Sequence, residues 1–174
     1  MSTRNILVVG DRGCGKTAWL NRLAGGIWAP EYTPTVAASE SISLKERLTT
    51  GERRKLVFHT LNDQNVVEHM AIQATIDGVI ILIDATLSQR ALRASHAKWY
   101  RFVNMVYPGV PLTVWLTKGD LDFKTKFLGP DHPDTRLRWF SSRTCLDLYH
   151  PIEALLPELF GEGIFALLST PRAS

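Results

Sequence analysis

The residues Gly10-Asp11-Arg12-Gly13-Cys14-Gly15-Lys16-Thr17 carry the most specific chemistry in this sequence. They satisfy the pattern G-x-x-x-x-G-K-[ST], in which glycines let backbone N–H groups converge on phosphate oxygens while a lysine reaches the outer phosphates. The hydroxyl after the lysine ligates magnesium in such loops, so Lys16 and Thr17 are expected to hold a polyphosphate and Mg together, with Asp11, Arg12, Gly13, Cys14, Gly15 and Ala18 completing the contact. A second stretch, Thr117-Lys118-Gly119-Asp120, has the residues to read a base. An aspartate accepts from the N1 and exocyclic N2 donors of guanine, a pair that adenine does not present, and a lysine stem can lie along the ring. Asp120 is the expected specificity residue, Lys118 its neighbour, and GTP and GDP the expected ligands.

Both stretches need strands to place them. Ile6-Leu7-Val8-Val9 is a short buried-strand pattern running into the glycine-rich turn, and residues 17–24 read as a helix with Trp19, Leu20 and Leu23 inward. Residues 41–48 and 55–58 have strand character on either side of Thr49-Thr50-Gly51-Glu52, which predicts an antiparallel hairpin. The continuous apolar run of residues 79–83 ends at Asp84; a long helical stretch over 89–106 follows and Pro108-Gly109 ends it. Residues 112–116 and 136–140 read as further strands, and Pro151 opens a final helix through Ile152, Leu155, Leu156 and Leu159. Such alternation predicts an α/β fold: a three-layer, mostly parallel six-stranded sheet with helices on both faces. The base-reading loop then follows a strand, where ligands of open α/β sheets bind.

With those motifs in place, the chain resembles the Ras superfamily of small GTPases over nearly its whole length, which implies the P-loop GTPase (G domain) fold. We divide it into a G domain over 1–160 and a short carboxy-terminal extension over 161–174. The base motif of that family is Asn-Lys-x-Asp, and Thr-Lys-x-Asp is the form of its Rho branch, matched by Thr117. Ser141-Ser142-Arg143 stands where the family has Ser-Ala-Lys, a loop whose backbone meets the guanine O6, with Arg for Lys as a departure. Glu31-Tyr32-Thr33-Pro34-Thr35 resembles the first switch, and the resemblance implies that Thr35 closes over magnesium and the third phosphate in the GTP state. Within the superfamily the likeness is nearest to the Ran branch, on residues 72–84, on 137–160 and on 161–171. That implies protein effectors and regulators as partners, with nuclear transport receptors among them. The Ran branch's further carboxy-terminal helix and acidic tail have no counterpart, and Pro130-Asp131-His132-Pro133-Asp134 matches its basic patch poorly.

The second switch breaks the pattern. The family reads Asp-x-x-Gly-Gln there: the aspartate holds magnesium through water, the glycine N–H senses the third phosphate and the glutamine orients the attacking water. This chain has His59-Thr60-Leu61-Asn62-Asp63-Gln64, with Gln64 one position late. Histidine removes one negative partner of magnesium, asparagine restricts a backbone that must swing, and Asp63 repels the phosphate. Arg12 occupies a position that is glycine in the Ras and Ran branches, where it either crowds the catalytic groups and lends charge to the phosphate or points to solvent. Lys16, Thr35, Asp63, Gln64 and Arg12 are the residues on which hydrolysis would depend, and slow or impaired GTP hydrolysis is expected.

The chain has 174 residues, 45% of them hydrophobic, and carries 20 Lys plus Arg against 17 Asp plus Glu for a formal +3, so a single domain without a direct nucleic-acid partner is expected. Cys14 and Cys145 have no metal-ligand spacing, and Cys14 lies in the phosphate loop, which points to a reducing compartment. With no bilayer-length apolar run, with Ser at position 2 and with no terminal cysteine, a soluble protein of cytoplasm or nucleus without a membrane anchor is expected, as a monomer. The absent cysteine disfavours a vesicle switch of the Rab type. A nucleotide kinase would need an arginine-bearing lid that the sequence lacks. A second reading stays open beside the switch: a pseudo-GTPase interaction module whose bound nucleotide is structural. His69, His96, His132 and His150 show no metal spacing, and the five tryptophans read as core or edge packing.

Overall fold

The computed structural model describes residues 2–28, 41–47, 53–61, 75–121 and 138–161. Thr35, Asn62, Asp63 and Gln64, residues 122–137 and all of the expected extension beyond Gly161 lie outside the described residues. The elements in chain order are β1 (Ser2–Val9), α1 (Lys16–Leu23), β2 (Ser41–Arg47), β3 (Arg53–Leu61), β4 (Gly78–Asp84), α2 (Gln89–Val106), β5 (Leu112–Thr117), β6 (Arg138–Trp139), α3 (His150–Glu153) and α4 (Leu156–Phe160). Among the described residues six strands form one sheet in the order β2-β3-β1-β4-β5-β6. Only the β2–β3 pair is antiparallel; β1 runs parallel to β3 and β4, and β5 parallel to β4 and β6. This is the expected α/β architecture, with β2 and β3 paired antiparallel as expected; residues 49–52 between them lie outside the described residues.

Strand residues alternate between two cores, as the period of two requires. Ile6 and Val8 of β1, with Phe58, Ile80 and Leu82, face Trp19, Leu20 and Leu23 of α1 and Ile152, Leu155, Leu156 and Leu159 at the carboxyl end. Leu7, Val9, Val79, Ile81 and Ile83 face the opposite way, onto Leu92, Trp99 and Val103 of α2. Strands buried on both faces read as unbroken apolar runs, which is why β1 and β4 were so plain in the sequence.

Trp19 anchors the first core. It is fully buried, meets Phe58 edge-on at 6.0 Å and donates its Nε1 hydrogen to the Leu148 carbonyl at 2.8 Å. Trp19→Ala is expected to cost about 3–5 kcal/mol of unfolding free energy, because a large cavity opens and a buried carbonyl loses its donor. Urea denaturation of the two proteins measures it.

The single final helix expected from Pro151 is instead two short ones, and Pro157 explains the break. A helix continuing through 157 needs that residue's N–H for the carbonyl of Glu153, which proline cannot supply. The chain turns at Ala154 and Leu155 and restarts with Pro157 in the first turn of α4, where the missing N–H does no harm. Leu155, Leu156 and Leu159 still reach the core.

Candidate functional site

The sheet changes winding direction at β1, whose neighbours β3 and β4 are reached by the chain on opposite sides. The carboxyl end of β1 is therefore the crevice where α/β sheets bind ligands, and Gly10 begins there. Gly10 has no room for a side chain: a Cβ would sit 2.3 Å from the Leu82 carbonyl oxygen and 2.7 Å from Cys14 Sγ. Gly15 caps α1 with a left-handed φ of 100°, a conformation natural to glycine. No side chain caps α1 and no acidic residue stands in its first turn, so the helix presents its positive end to the loop uncompensated.

Lys16 lies under that loop, only 7% exposed, with Nζ donating to the carbonyls of Gly10 and Asp11 at 2.8 Å each and 3.7 Å from Cys14 Sγ. Burial pushes the Cys14 thiol above its ordinary value, so it remains a protonated packing group at neutral pH. Thr17, next along, is half-buried in the first turn of α1, and Arg12 is exposed.

Asp11 turns its carboxylate away from the loop towards α2. Its Oδ2 accepts from Ser95 Oγ at 2.5 Å, while Oδ1 accepts from Trp99 Nε1 at 3.1 Å and is ion-paired with Lys98. Burial by itself would raise this carboxyl, but the hydrogen bonds from Lys98, Ser95 and Trp99 and the Lys98 charge outweigh it and hold it below its ordinary range. Its side chain thus fastens the loop to a helix.

The base-reading stretch follows β5 as expected, and it is tied directly to the phosphate loop. Thr117 Oγ1 donates to the Cys14 carbonyl at 2.5 Å, with the Ile83 carbonyl 3.3 Å away. Lys118 takes a left-handed φ of 58° and pairs with Asp84 Oδ2 at 2.5 Å. Gly119 packs on Trp139, where an added Cβ would come within 2.2 Å of the indole. Asp120 Oδ1 accepts from Ser141 Oγ at 2.7 Å, and Oδ2 stands 3.9 Å from the Arg143 guanidinium. The structure so brings Ser141 and Arg143 beside Asp120, as their order after β6 implied, while Ser142 between them turns its carbonyl to Arg22.

Two contributors were not foreseen. Arg22 of α1 donates from Nε to the Ser142 carbonyl at 3.1 Å and from Nη1 to the Gly26 carbonyl at 2.8 Å, and it also contacts Cys145 Sγ, bracing the 141–145 loop against the helix that follows the glycine-rich loop. Trp28, read as core or edge packing, belongs to neither core and lies under the Arg143 guanidinium at 5.4 Å. A tryptophan five residues past the end of a helix gives no signal of this in sequence.

His59 sits in β3 opposite Leu7, its Nε2 3.2 Å from Asn5 Oδ1, and burial lowers its pKa. It is a neutral ring at physiological pH. Among the described residues no group of three or more His, Cys, Asp or Glu is placed to hold a metal ion, and no helix is long and apolar enough to cross a membrane.

No protein-family model matches the chain. Among curated proteins it is similar to the GTP-binding protein rho2 of Schizosaccharomyces pombe, 29% identical over 119 residues that cover 68% of this chain and 58% of that protein. It is also similar to the GTP-binding protein rho4 of the same yeast, 26% identical over 124 residues, covering 69% of this chain and 59% of that one. The match thus spans less than two thirds of the length of these curated relatives. Rho-type GTP-binding proteins are distant relatives of this chain.

Proposed function

We propose that this chain is a guanine-nucleotide-binding switch of the small GTPase type, with residues 1–160 as its G domain and 161–174 as a short extension. The observation that carries the reading is the Thr117–Cys14 hydrogen bond, which joins a phosphate loop to a guanine-reading loop at the carboxyl ends of neighbouring strands. The Rho-type relatives support the small-GTPase reading, and Thr117 is the Rho branch's form of the base motif, but they lend nothing to a nearer likeness to the Ran branch.

In this reading the backbone of 11–18 and the Lys16 ammonium hold the phosphates. Asp120 and Lys118 hold the base, Ser141, Ser142 and Arg143 close its edge, and Trp28 flanks it. The Thr17 hydroxyl, in the first helical turn beside Lys16, fits one position around a magnesium ion, and Thr35 is assigned a second. Magnesium would neutralise phosphate charge there. Protein regulators and effectors are the partners. The Ran-like segments over 72–84 and 137–160 make nuclear transport receptors the first effectors to test. The replacements at His59, Asn62 and Asp63 make hydrolysis slow; a module holding its nucleotide permanently is the second reading, favoured by the same residues.

Asp120 supplies the test. Asp120→Asn keeps the shape but turns one acceptor into a donor, leaving a guanine N–H unpaired and suiting the C2 carbonyl of xanthine. GDP affinity is expected to fall on the order of 10²-fold while affinity for xanthosine diphosphate rises. Equal GDP affinity in equilibrium titration of the two proteins would remove Asp120 as the specificity residue.

A further inference from the structure

The charge of this protein is gathered on one helix. α2 holds Arg90, Arg93, Lys98 and Arg101 and no aspartate or glutamate in its 18 residues, so this element alone carries more positive charge than the whole chain, whose net is +3. All four cations are at exposed positions. At 100° per residue they fall within a sector of about 140°, and Arg90 and Arg101 stand almost in line, roughly 16 Å apart. Ala94 and Ala97 occupy the exposed positions between them, so a polypeptide can approach the helix closely. Arg90, Arg93 and Arg101 form no ion pair among the described residues. Lys98 is engaged with Asp11 of the phosphate loop.

We infer that the exposed face of α2 is a docking surface for an acidic protein segment, and that docking is felt at the phosphate loop because the segment's carboxylates compete with Asp11 for Lys98. Charge complementarity selects the occupant. Arginine pairs with carboxylates in a two-pronged geometry, and such residues are enriched where proteins meet. No aromatic ring on this face is exposed for stacking nucleic-acid bases, Tyr100 and Phe102 at its margins being half-buried, and its exposed apolar groups are Ala94, Ala97 and Met105, with no exposed Trp, Phe or Leu to enter a lipid layer. The coupling follows from geometry already described. Asp11 keeps Ser95 and Trp99 when Lys98 is drawn away, so the loop loosens without losing its seat.

The coupling half of this inference rests on the nucleotide reading above; the docking half does not. The test uses the full chain at about 0.15 M salt, where charges beyond roughly 8 Å are screened. The probe is a fluorescein-labelled, glutamate-rich peptide of about twelve residues, long enough to span the stripe. Its anisotropy is expected to report saturable binding that Arg90→Glu/Arg93→Glu/Arg101→Glu weakens at least about tenfold, with Arg101→Glu alone giving a partial loss. Equal binding by the triple variant overturns the proposal, as does tighter binding of phosphatidylserine vesicles or duplex DNA than of the peptide. In the second arm the peptide is expected to speed release of a fluorescent GDP from the wild-type chain about tenfold. Lys98→Gln should release faster without peptide and gain nothing from it, whereas the triple variant should keep the unliganded rate. A release rate indifferent to bound peptide overturns the coupling. Failure to bind GDP at all would count against the nucleotide reading and leave the anisotropy result standing.

Discussion

Lys16→Ala is expected to abolish tight guanine-nucleotide binding, lowering affinity on the order of 10²–10⁴-fold. The estimate follows from two charge-assisted hydrogen bonds to phosphate, each contributing about 1.5–3 kcal/mol at a desolvated site. Lys16 is buried beneath the loop with its ammonium on the Gly10 and Asp11 carbonyls, so it is already where the phosphates of the proposed ligand would meet it. The substitution also frees those two carbonyls. Loss of binding therefore has to be read beside a thermal melt, which is expected to show a folded variant because Trp19, Leu20 and Leu23 of the same helix stay packed. An unchanged Kd in equilibrium titration with fluorescent GDP would refute the phosphate-loop assignment.

The second large effect concerns turnover. Single-turnover decay of bound GTP is expected to lie about 10³–10⁵ below the rate of a small GTPase assisted by an arginine finger, because in the proposed reading Asp63 replaces the water-orienting glutamine and His59 the magnesium-side aspartate. Burial lowers the His59 pKa and its Nε2 is turned to Asn5, so in that reading a neutral ring stands where the family's carboxylate would face magnesium. Restoring the family's residues with His59→Asp, Asn62→Gly and Asp63→Gln together is expected to recover part of the rate. An unmodified chain that cleaves GTP as fast as an assisted small GTPase would overturn the proposal of slow hydrolysis.

Much of this was legible in the amino-acid order, and the division is physical. α2 runs over Gln89–Val106 as expected because its ends carry local signals: Ser88 Oγ accepts from the Ala91 N–H at 3.3 Å at one end, and Pro108-Gly109 follows the other. The phosphate and base loops were recognisable because each is a contiguous run whose spacing is set by backbone geometry. Pro157 was a local signal too, and the apolar periodicity of Leu155, Leu156 and Leu159 concealed it. What escaped were contacts between side chains far apart in the chain. Asp11 and Lys98 are 87 positions apart and Arg22 and Ser142 are 120, and nothing near either residue marks its partner. Such pairs are decided by how the helices seat on the sheet, which periodicity alone leaves open.

The Thr117–Cys14 bond joins two half-sites that the chain makes 103 residues apart. In the proposed reading this makes the nucleotide a bidentate ligand in the thermodynamic sense. Guanosine alone or pyrophosphate alone would each meet the full translational and rotational entropy cost of association, whereas the intact nucleotide meets it once. The second half then binds at the high effective concentration set by a short tether. A hydroxyl that touches neither base nor phosphate would thereby keep the two half-sites at the spacing that a single molecule spans.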